Sequence, residues 1–398
     1  MKMSTQSLSD APPKRRGANY WTTGLALFSM FFGAGNLIFP LIVGTHAGNE
    51  TAKAVFGIGL SAVLFPLLGL VAMLLYRGDL RAFLARLGPI PAFLLLFILH
   101  LSQGPLGALP RLVTLMHGSV CTFFPSLSLP LFSILICGAI FLLALKPQRL
   151  IQLLGVILTP LLLLTMAALI LAGIFSGAPA LPSNESGLFH FMEGLKGGYQ
   201  TTDLIAALLF ATVVIPHLLR GTENLPPREQ NSLLRRNMLG SSIVAASLLM
   251  ITYIGLCLLA SRHAEMLSNL PPEQMLHAIA ITTLGSAGAW ISSSVVFLAC
   301  LTTALSLTSI FSSYLQTEIL RNKTGSILTL LITIISTALM SNLGFTGLMK
   351  LIGPAMEILY PSLIVLCLTN IGFCLYSVKP VKVPVYAALG IGIVGFCI

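Results

Sequence analysis

The sequence FFGAGNLIFP occupies residues 31–40, in the middle of an apolar run over residues 20–43. The run is long enough to cross a bilayer as a helix. Gly33, Gly35 and Asn36 are poor helix formers, so they predict an interruption near mid-depth. In hydrocarbon, a broken helix is tolerated only where its freed backbone groups face protein or a wet cavity. The break therefore predicts a site for a polar ligand or ion, and a glycine-lined packing face between straight helices is the alternative.

The composition is that of a membrane protein. Of 398 residues, 56% are hydrophobic and 9% are charged, whereas a soluble domain carries roughly 25% charged residues. The net charge of +10 does not indicate a nucleic-acid partner, because the charges recur in short clusters between apolar runs. The seven cysteines show neither metal-binding spacing nor a disulfide framework. We therefore expect the lipid bilayer to be the main surrounding of this chain.

Apolar runs of roughly 17–25 residues predict about eleven transmembrane helices. They are placed at residues 20–43, 53–76, 91–117, 128–145, 149–176, 199–219, 238–260, 285–317, 325–342, 346–376 and 383–398. Residues 177–198 and 261–284 are predicted to be outer loops, the second with a short helix at residues 271–277 that its prolines open. Residues 79–87 are predicted to form a short amphipathic helix on the inner side.

The positive charges predict the orientation. If residues 1–19 form a cytoplasmic N-terminal tail, the inner side receives most of the 22 lysines and arginines. The outer side then receives only Lys53, Lys196, Arg262 and Lys350. This bias predicts a multi-pass protein of the cell inner membrane with its N-terminus in the cytoplasm.

Charged groups within spans are costly, so each is a candidate functional residue. Asp203 opens the sixth span and is compatible with a helix N-cap at the outer interface or with an ion ligand. Arg111 follows Pro105 and Pro110, which kink the third span. It can pair with a carboxylate, cap carbonyls or snorkel towards the outer surface, and we expect a structural pairing role rather than direct contact with a substrate. Glu357 lies deep in the tenth span, where a partner for Arg111 and a proton-coupling group are both open roles.

Two neighbouring hydroxyls, Thr302 and Thr303, lie in the eighth span. They can bond to carbonyls of their own helix. Together with carbonyls of an unwound partner helix, they can also supply the oxygen ligands that a hard cation such as sodium requires. His100, His117 and His217 are isolated in the sequence, so we expect them to pack rather than to bind a metal.

Four segments together resemble the bacterial branched-chain amino acid:cation symporters, the LIVCS family, in order and spacing. They are GAGNLIFP at residues 33–40, GPLGALPR at 104–111, GYQTTD at 198–203 and CLTTA at 300–304. The resemblance implies the all-α, five-plus-five inverted-repeat fold of the amino acid–polyamine–cation superfamily, with discontinuous helices 1 and 6. The transporter core would cover residues 20–376, with repeats at about 20–176 and 199–376. Residues 377–398 would form an additional C-terminal transmembrane helix.

The resemblance also implies the site residues. The substrate would be bound by Ala34, Gly35, Asn36, Thr202 and Asp203, the first three bringing amides to its carboxylate. The sodium ion would be held by the carbonyls of Ser29, Phe32 and Ala299 and by the hydroxyls of Thr302 and Thr303. The chain departs from the family pattern at Ala211, where the family tends to have glycine, so the sixth helix has no internal glycine to mark a break.

The function implied by the resemblance is import of leucine, isoleucine and valine by sodium symport, without enzymatic activity, cofactor or obligate protein partner. A proton-coupled carrier and a carrier of another neutral amino acid are the alternatives among transporters. A membrane enzyme acting on lipids would need clustered carboxylates or His/Asp pairs at one membrane face, and a channel would need a repeated pore-lining pattern. The sequence shows neither pattern.

Overall fold

The computed structural model describes residues 19–145, 154–180, 182–220, 222–377 and 381–397, and all regular structure within these ranges is helical. The tail predicted for residues 1–19 lies outside the described residues, except for Asn19. Within the described ranges, seven helical segments are long and apolar enough to cross a membrane, and three shorter apolar helices accompany them. A helix pairs its own backbone groups, so this apolar sequence folds into a helical bundle.

Within the described residues, the first half of the chain forms nine α-helices. They are α1 (Tyr20–Phe31), α2 (Ala34–Ala47), α3 (Thr51–Gly59), α4 (Phe65–Leu75), α5 (Leu80–Leu84), α6 (Pro89–Gln103), α7 (Ala108–Cys121), α8 (Leu129–Ala144) and α9 (Thr159–Ser176). A π-helical turn at Leu60–Leu64 joins α3 to α4. Short breaks separate α1 from α2 and α6 from α7, so the first and third crossings each consist of two helices.

The second half begins with another interrupted crossing. Its helices are α10 (Gly187–Thr201), α11 (Asp203–Leu219), α12 (Pro227–Ser261), α13 (Ala264–Leu267), α14 (Pro272–Tyr314), α15 (Ser326–Ser341), α16 (Gly344–Tyr376) and α17 (Lys382–Cys397). The second half thus begins with an interrupted crossing formed by α10 and α11, just as the first half begins with one formed by α1 and α2. The predicted spans from 20–43 to 383–398 correspond to these helices or helix pairs.

The predicted outer loop at residues 177–198 is wrong in its second part, because α10 begins at Gly187. Glu193, Lys196 and several glycines make this segment less apolar than a lipid-facing helix. Gly194 nevertheless allows α10 to pack closely on α3, since a Cβ at this position would collide with the carbonyl of Ala54. One face of α10 packs against α3, whereas Leu188, Phe189 and Met192 are exposed.

The two short helices predicted from the sequence are confirmed. Asp79 caps α5, accepting a hydrogen bond at 2.9 Å from the backbone N–H of Ala82. Helix α14 begins at Pro272, as expected of a proline in the first turn. It continues farther than predicted and bends at Gly285, where φ is 59° and ψ is −139°.

Helix α11 lies in the centre of the bundle, where Leu204, Ile205 and Phe210 are fully buried. The outer surface is apolar instead, with exposed side chains such as Leu164 and Phe175. An apolar surface of this kind is stable only when lipid covers it. The bundle therefore places the first turn of α11 deep within the protein.

Candidate functional site

The predicted break in the first crossing is confirmed. Helix α1 ends at Phe31, Phe32 has left helical geometry with ψ at 83°, and Gly33 is extended with φ −119° and ψ −155°. The side-chain oxygen of Asn36 accepts a hydrogen bond from the N–H of Gly33 at 3.2 Å. The first N–H groups of α2 have no carbonyl of their own helix to bond. This helix N-terminus is therefore available to a negatively charged group.

The sixth crossing is also interrupted, but the interruption does not lie near Ala211. Thr202 adopts the left-handed conformation, with φ 63° and ψ 20°, and separates α10 from α11. Gln103 donates a hydrogen bond from Nε2 to the carbonyl of Thr202 at 3.3 Å. The N–H of Leu204 donates to the hydroxyl of Tyr360 at 2.8 Å. Side chains of neighbouring helices therefore satisfy the backbone groups that the break frees.

The two breaks meet at Asp203. Its Oδ2 accepts hydrogen bonds from Asn36 Nδ2 at 2.6 Å and from the Tyr253 hydroxyl at 2.9 Å, and Asn36 Nδ2 also contacts that hydroxyl. Asp203 is 1% exposed. The expected N-cap at an outer interface is wrong, because Thr202 is the cap and Asp203 lies inside the bundle. The structure thus joins both interrupted crossings through one buried carboxylate.

Gly35 allows this approach. A Cβ at Gly35 would lie 3.0 Å from the Cα of Thr201 and 3.3 Å from its carbonyl oxygen. Any larger residue would push α2 and the end of α10 apart. The glycine therefore serves the contact between the breaks as well as the exposure of the amides.

Arg111 lies in the first turn of α7, after the third crossing breaks between Gln103 and Ala108. Its side chain is 4% exposed, and Nη1 lies 3.4 Å from the sulfur of Met349. Glu357 is not its partner. That carboxylate is exposed and accepts a hydrogen bond from Gln200 Nε2 at 3.0 Å. The expectation of a buried carboxylate at position 357 is wrong, because α16 turns this position away from the bundle centre.

A cavity of about 20 Å³, enough for about one water molecule, lies between the breaks. It is lined by Met30, Phe31, Gly33, Ala34, Gly35, Asn36, Gln103, Ala108, Arg111, Leu112, Thr201, Thr202, Asp203, Ala206, Phe210, Thr303 and Leu307. Small-molecule sites occupy roughly 300–1,000 Å³, so this cavity must widen before an amino acid can enter it. All five residues that the sequence proposes for the substrate line it. Apolar side chains form part of the wall, and Arg111 and Asp203 provide opposite charges.

The oxygens proposed for sodium also cluster. The carbonyl of Ser29 accepts hydrogen bonds from the hydroxyls of Thr302 at 2.9 Å and of Thr303 at 3.2 Å. The Thr302 hydroxyl also lies 2.9 Å from the carbonyl of Ala299. Phe32 lies just beyond α1, next to Gly33, where a Cβ would be 3.1 Å from the Thr303 hydroxyl. The structure thus brings four of the five proposed ligands into contact and Phe32 beside them.

Tyr253 and Gln103 are site residues that the sequence reading missed. Each is a polar side chain within an apolar crossing, and both are nearly or fully buried. The cost of a polar group in hydrocarbon is the signal that identifies them. His100 bonds the carbonyl of Leu96 at 2.8 Å, and His117 bonds that of Leu127 at 2.8 Å.

Solved structures of transporters have the same fold. An inward-facing structure of Mhp1 matches with a TM-score of 0.59 at 14% identity, covering 92% of this chain and 80% of that one. A manganese transporter of Eremococcus coleocola matches at 0.58 and 14%, covering 95% and 85%. A Na⁺-coupled sialic acid symporter matches at 0.59 and 12%, covering 94% and 89%. These matches show the five-plus-five inverted-repeat transporter fold with discontinuous first and sixth helices.

Proteins similar in sequence identify the family of this chain. A Staphylococcus aureus protein of strain RF122, provisionally named a branched-chain amino acid carrier, is 31% identical over 365 residues, covering 86% of this chain and 79% of the relative. A relative from strain USA300 with the same kind of name matches to the same extent. The family model described as branched-chain amino acid transport protein matches residues 16–394. The chain is therefore a multi-pass membrane protein that belongs to the branched-chain amino acid transport protein family, a family of carriers and not of enzymes.

Proposed function

We propose that this protein imports leucine, isoleucine and valine by symport with sodium. The observation that carries the proposal is the meeting of two interrupted helices at one buried cavity, with a cluster of oxygens beside the first break. Interrupted helices of this kind bind the substrate and the coupling ion in secondary transporters. Membership in the carrier family supports the same activity.

The substrate is proposed to lie between the breaks. Ala34 and Gly35 line the cavity at the start of α2, where the helix dipole favours an anion. Thr202 and Asp203 line the opposite break. Asn36 is already bonded to Gly33 and Asp203, so its role is to hold the breaks together.

The aliphatic side chain is proposed to contact the apolar wall. Met30, Phe31, Leu112, Phe210 and Leu307 line this part of the cavity. An apolar pocket separates side chains that differ by one methylene by only about 1–3 kcal/mol. Isoleucine and valine should therefore inhibit leucine uptake strongly, whereas lysine and glutamate, whose side chains carry charge, should inhibit it little.

The sodium ion is proposed to bind between α1 and α14. The hydroxyls of Thr302 and Thr303 lie within hydrogen-bonding distance of the carbonyl of Ser29, and that of Thr302 also lies near the carbonyl of Ala299. The carbonyl of Phe32 lies past the end of α1. Several neutral oxygens are what a hard cation needs to replace its water shell. The position next to the break explains how ion binding would stabilise the substrate-binding conformation of α2.

The orientation is proposed from the described charges. Arg77 and Arg81, near the start of α5, contact Gln230 and Glu318 at the same end of the bundle. Lys382 begins α17 at that end, where Tyr386 bonds the carbonyl of Leu87. By the positive-inside rule this end is cytoplasmic. The protein would then lie in the inner membrane with its N-terminus in the cytoplasm.

Purified protein in proteoliposomes tests the proposal without any partner protein. Labelled leucine should accumulate when an inward sodium gradient is imposed, and it should not accumulate under a pH gradient in sodium-free buffer. The rival mechanism couples transport to protons through Asp203, the carboxylate buried in this cavity. Accumulation driven by the pH gradient alone would establish that rival, and no leucine uptake under either gradient would reject the substrate assignment.

A further inference from the structure

Arg111 and Asp203 are two opposite charges that face one cavity without forming an ion pair. Both line the cavity, and they are 4% and 1% exposed. Among the described residues, no nitrogen of Arg111 lies within 4.0 Å of a carboxylate oxygen. The cavity that both residues line has room for about one water molecule, about 20 Å³, so it must widen to admit a ligand.

The immediate partners of both groups are neutral. Arg111 contacts the thioether of Met349, which is a weak acceptor without charge. Asp203 accepts hydrogen bonds from an amide and a phenol, Asn36 and Tyr253. A buried charge without a partner of opposite sign is costly, so a binding site gains most from a ligand that supplies both missing charges. An α-amino acid carries those charges on adjacent groups.

We propose that Arg111 binds the α-carboxylate of the substrate and that Asp203 binds its α-ammonium group, an inference that rests on the proposed amino-acid transport. The planar guanidinium can bind a carboxylate through two parallel hydrogen bonds. The amides at the start of α2 then contribute to the same carboxylate from the adjacent wall.

The inference predicts which analogues the carrier rejects. Leucinamide keeps the ammonium group but lacks the carboxylate, and 4-methylpentanoate keeps the carboxylate but lacks the amine. Each analogue leaves one buried charge without its partner. On the wild-type protein, each should compete with leucine on the order of 10- to 100-fold more weakly than unlabelled leucine does, given the strength of hydrogen bonds between charged groups. Equal competition by leucinamide would overturn the role of Arg111 without any variant.

Variants assign the two charges separately. Arg111→Gln should bind leucine more weakly and should lose most of the discrimination between leucine and leucinamide. Arg111→Lys keeps the charge, so it should retain part of that discrimination. Asp203→Asn should instead reduce the discrimination against 4-methylpentanoate. The matched control is Arg262→Gln, because Arg262 is an exposed arginine that bonds the carbonyl of Ile174, a residue that does not line the cavity.

The outcomes separate this inference from the proposed function. If Arg111→Gln transports leucine and still rejects leucinamide as strongly as the wild type, the inference is wrong and the proposed function stands. If Arg111→Gln does not fold, the competition on the wild-type protein decides. If the wild type carries another neutral amino acid instead of leucine, the proposed function is wrong, and the charge assignment is tested with that amino acid, its amide and its deaminated acid.

Discussion

The two helix breaks at the centre of this protein are built in different ways. The first break has glycines at positions 33 and 35, and its chain leaves helical geometry through extended residues. The second break has no glycine and instead places Thr202 in the left-handed conformation. The first is therefore encoded locally by residues with weak helix propensity. The second depends on partners from other helices, namely Gln103, Asn36 and Tyr360.

The comparison predicts that the first break is sensitive to side-chain size. Gly35→Leu should abolish leucine uptake, because its side chain would collide with Thr201 and would fill the space in front of the α2 amides. Gly35→Ala should reduce uptake less. Uptake is measured in cells with protein abundance followed in the membrane fraction.

Gly118→Leu is the matched control for this prediction. Gly118 lies on α7, and no heavy atom lies within 4 Å of an added Cβ. Normal leucine uptake by both Gly35→Leu and Gly118→Leu would show that the space at Gly35 is not needed for substrate binding.

The comparison predicts that the second break is sensitive to loss of a partner. Tyr360→Phe removes the acceptor of the Leu204 N–H and leaves that buried group unpaired, at a cost of about 1–3 kcal/mol. Leucine uptake should fall about tenfold or more if this cost falls on the substrate-binding state. Tyr376→Phe is the control, because Tyr376 is 79% exposed. Unchanged uptake by Tyr360→Phe would show that the second break does not depend on this hydrogen bond.

The smallest effect is predicted at Thr202. A left-handed conformation is unfavourable for threonine by about 1–3 kcal/mol but is easy for glycine. Thr202→Gly should therefore keep leucine uptake close to that of the wild type, with thermal stability unchanged or slightly raised. A complete loss of uptake in a stably folded Thr202→Gly variant would indicate that the side chain, rather than the backbone, binds the substrate.

The difference between the breaks also explains why the position of the first, but not of the second, could be predicted from the sequence. Gly33, Gly35 and Asn36 carry their own conformational preferences, so the first break was readable from residues next to each other. The sixth helix has no internal glycine to mark a break, since Ala211 stands where the family tends to have glycine, and its break lies at Thr202. Its cause is a set of contacts with Gln103 and Tyr360, which are far away in the sequence.

The positions of charged side chains were also difficult to predict from the sequence, because they depend on contacts between distant segments. The burial of Asp203 follows from α10, a helix in a segment whose composition resembles a loop, because its C-terminal end leads the chain into the bundle at Thr201. Glu357 was expected to be buried because it lies within a long apolar segment. The face of a helix that points outward depends on its neighbours, and α16 exposes this position. The fold was therefore largely predictable, whereas the partners of individual polar groups required the three-dimensional arrangement.

The central claim is that the first break couples a substrate site to a cation site. Sodium and leucine should then strengthen each other's binding, because binding coupling is reciprocal. The direct measurement is the dissociation constant of leucine, determined calorimetrically on purified protein over a range of sodium concentrations. Leucine should bind more tightly as sodium rises, Thr303→Ala should shift this dependence to higher sodium, and Thr303→Ser should shift it much less because it keeps the oxygen that bonds to Ser29. Leucine affinity that is independent of sodium in the wild type, or a sodium dependence that Thr303→Ala leaves unchanged, would contradict the account.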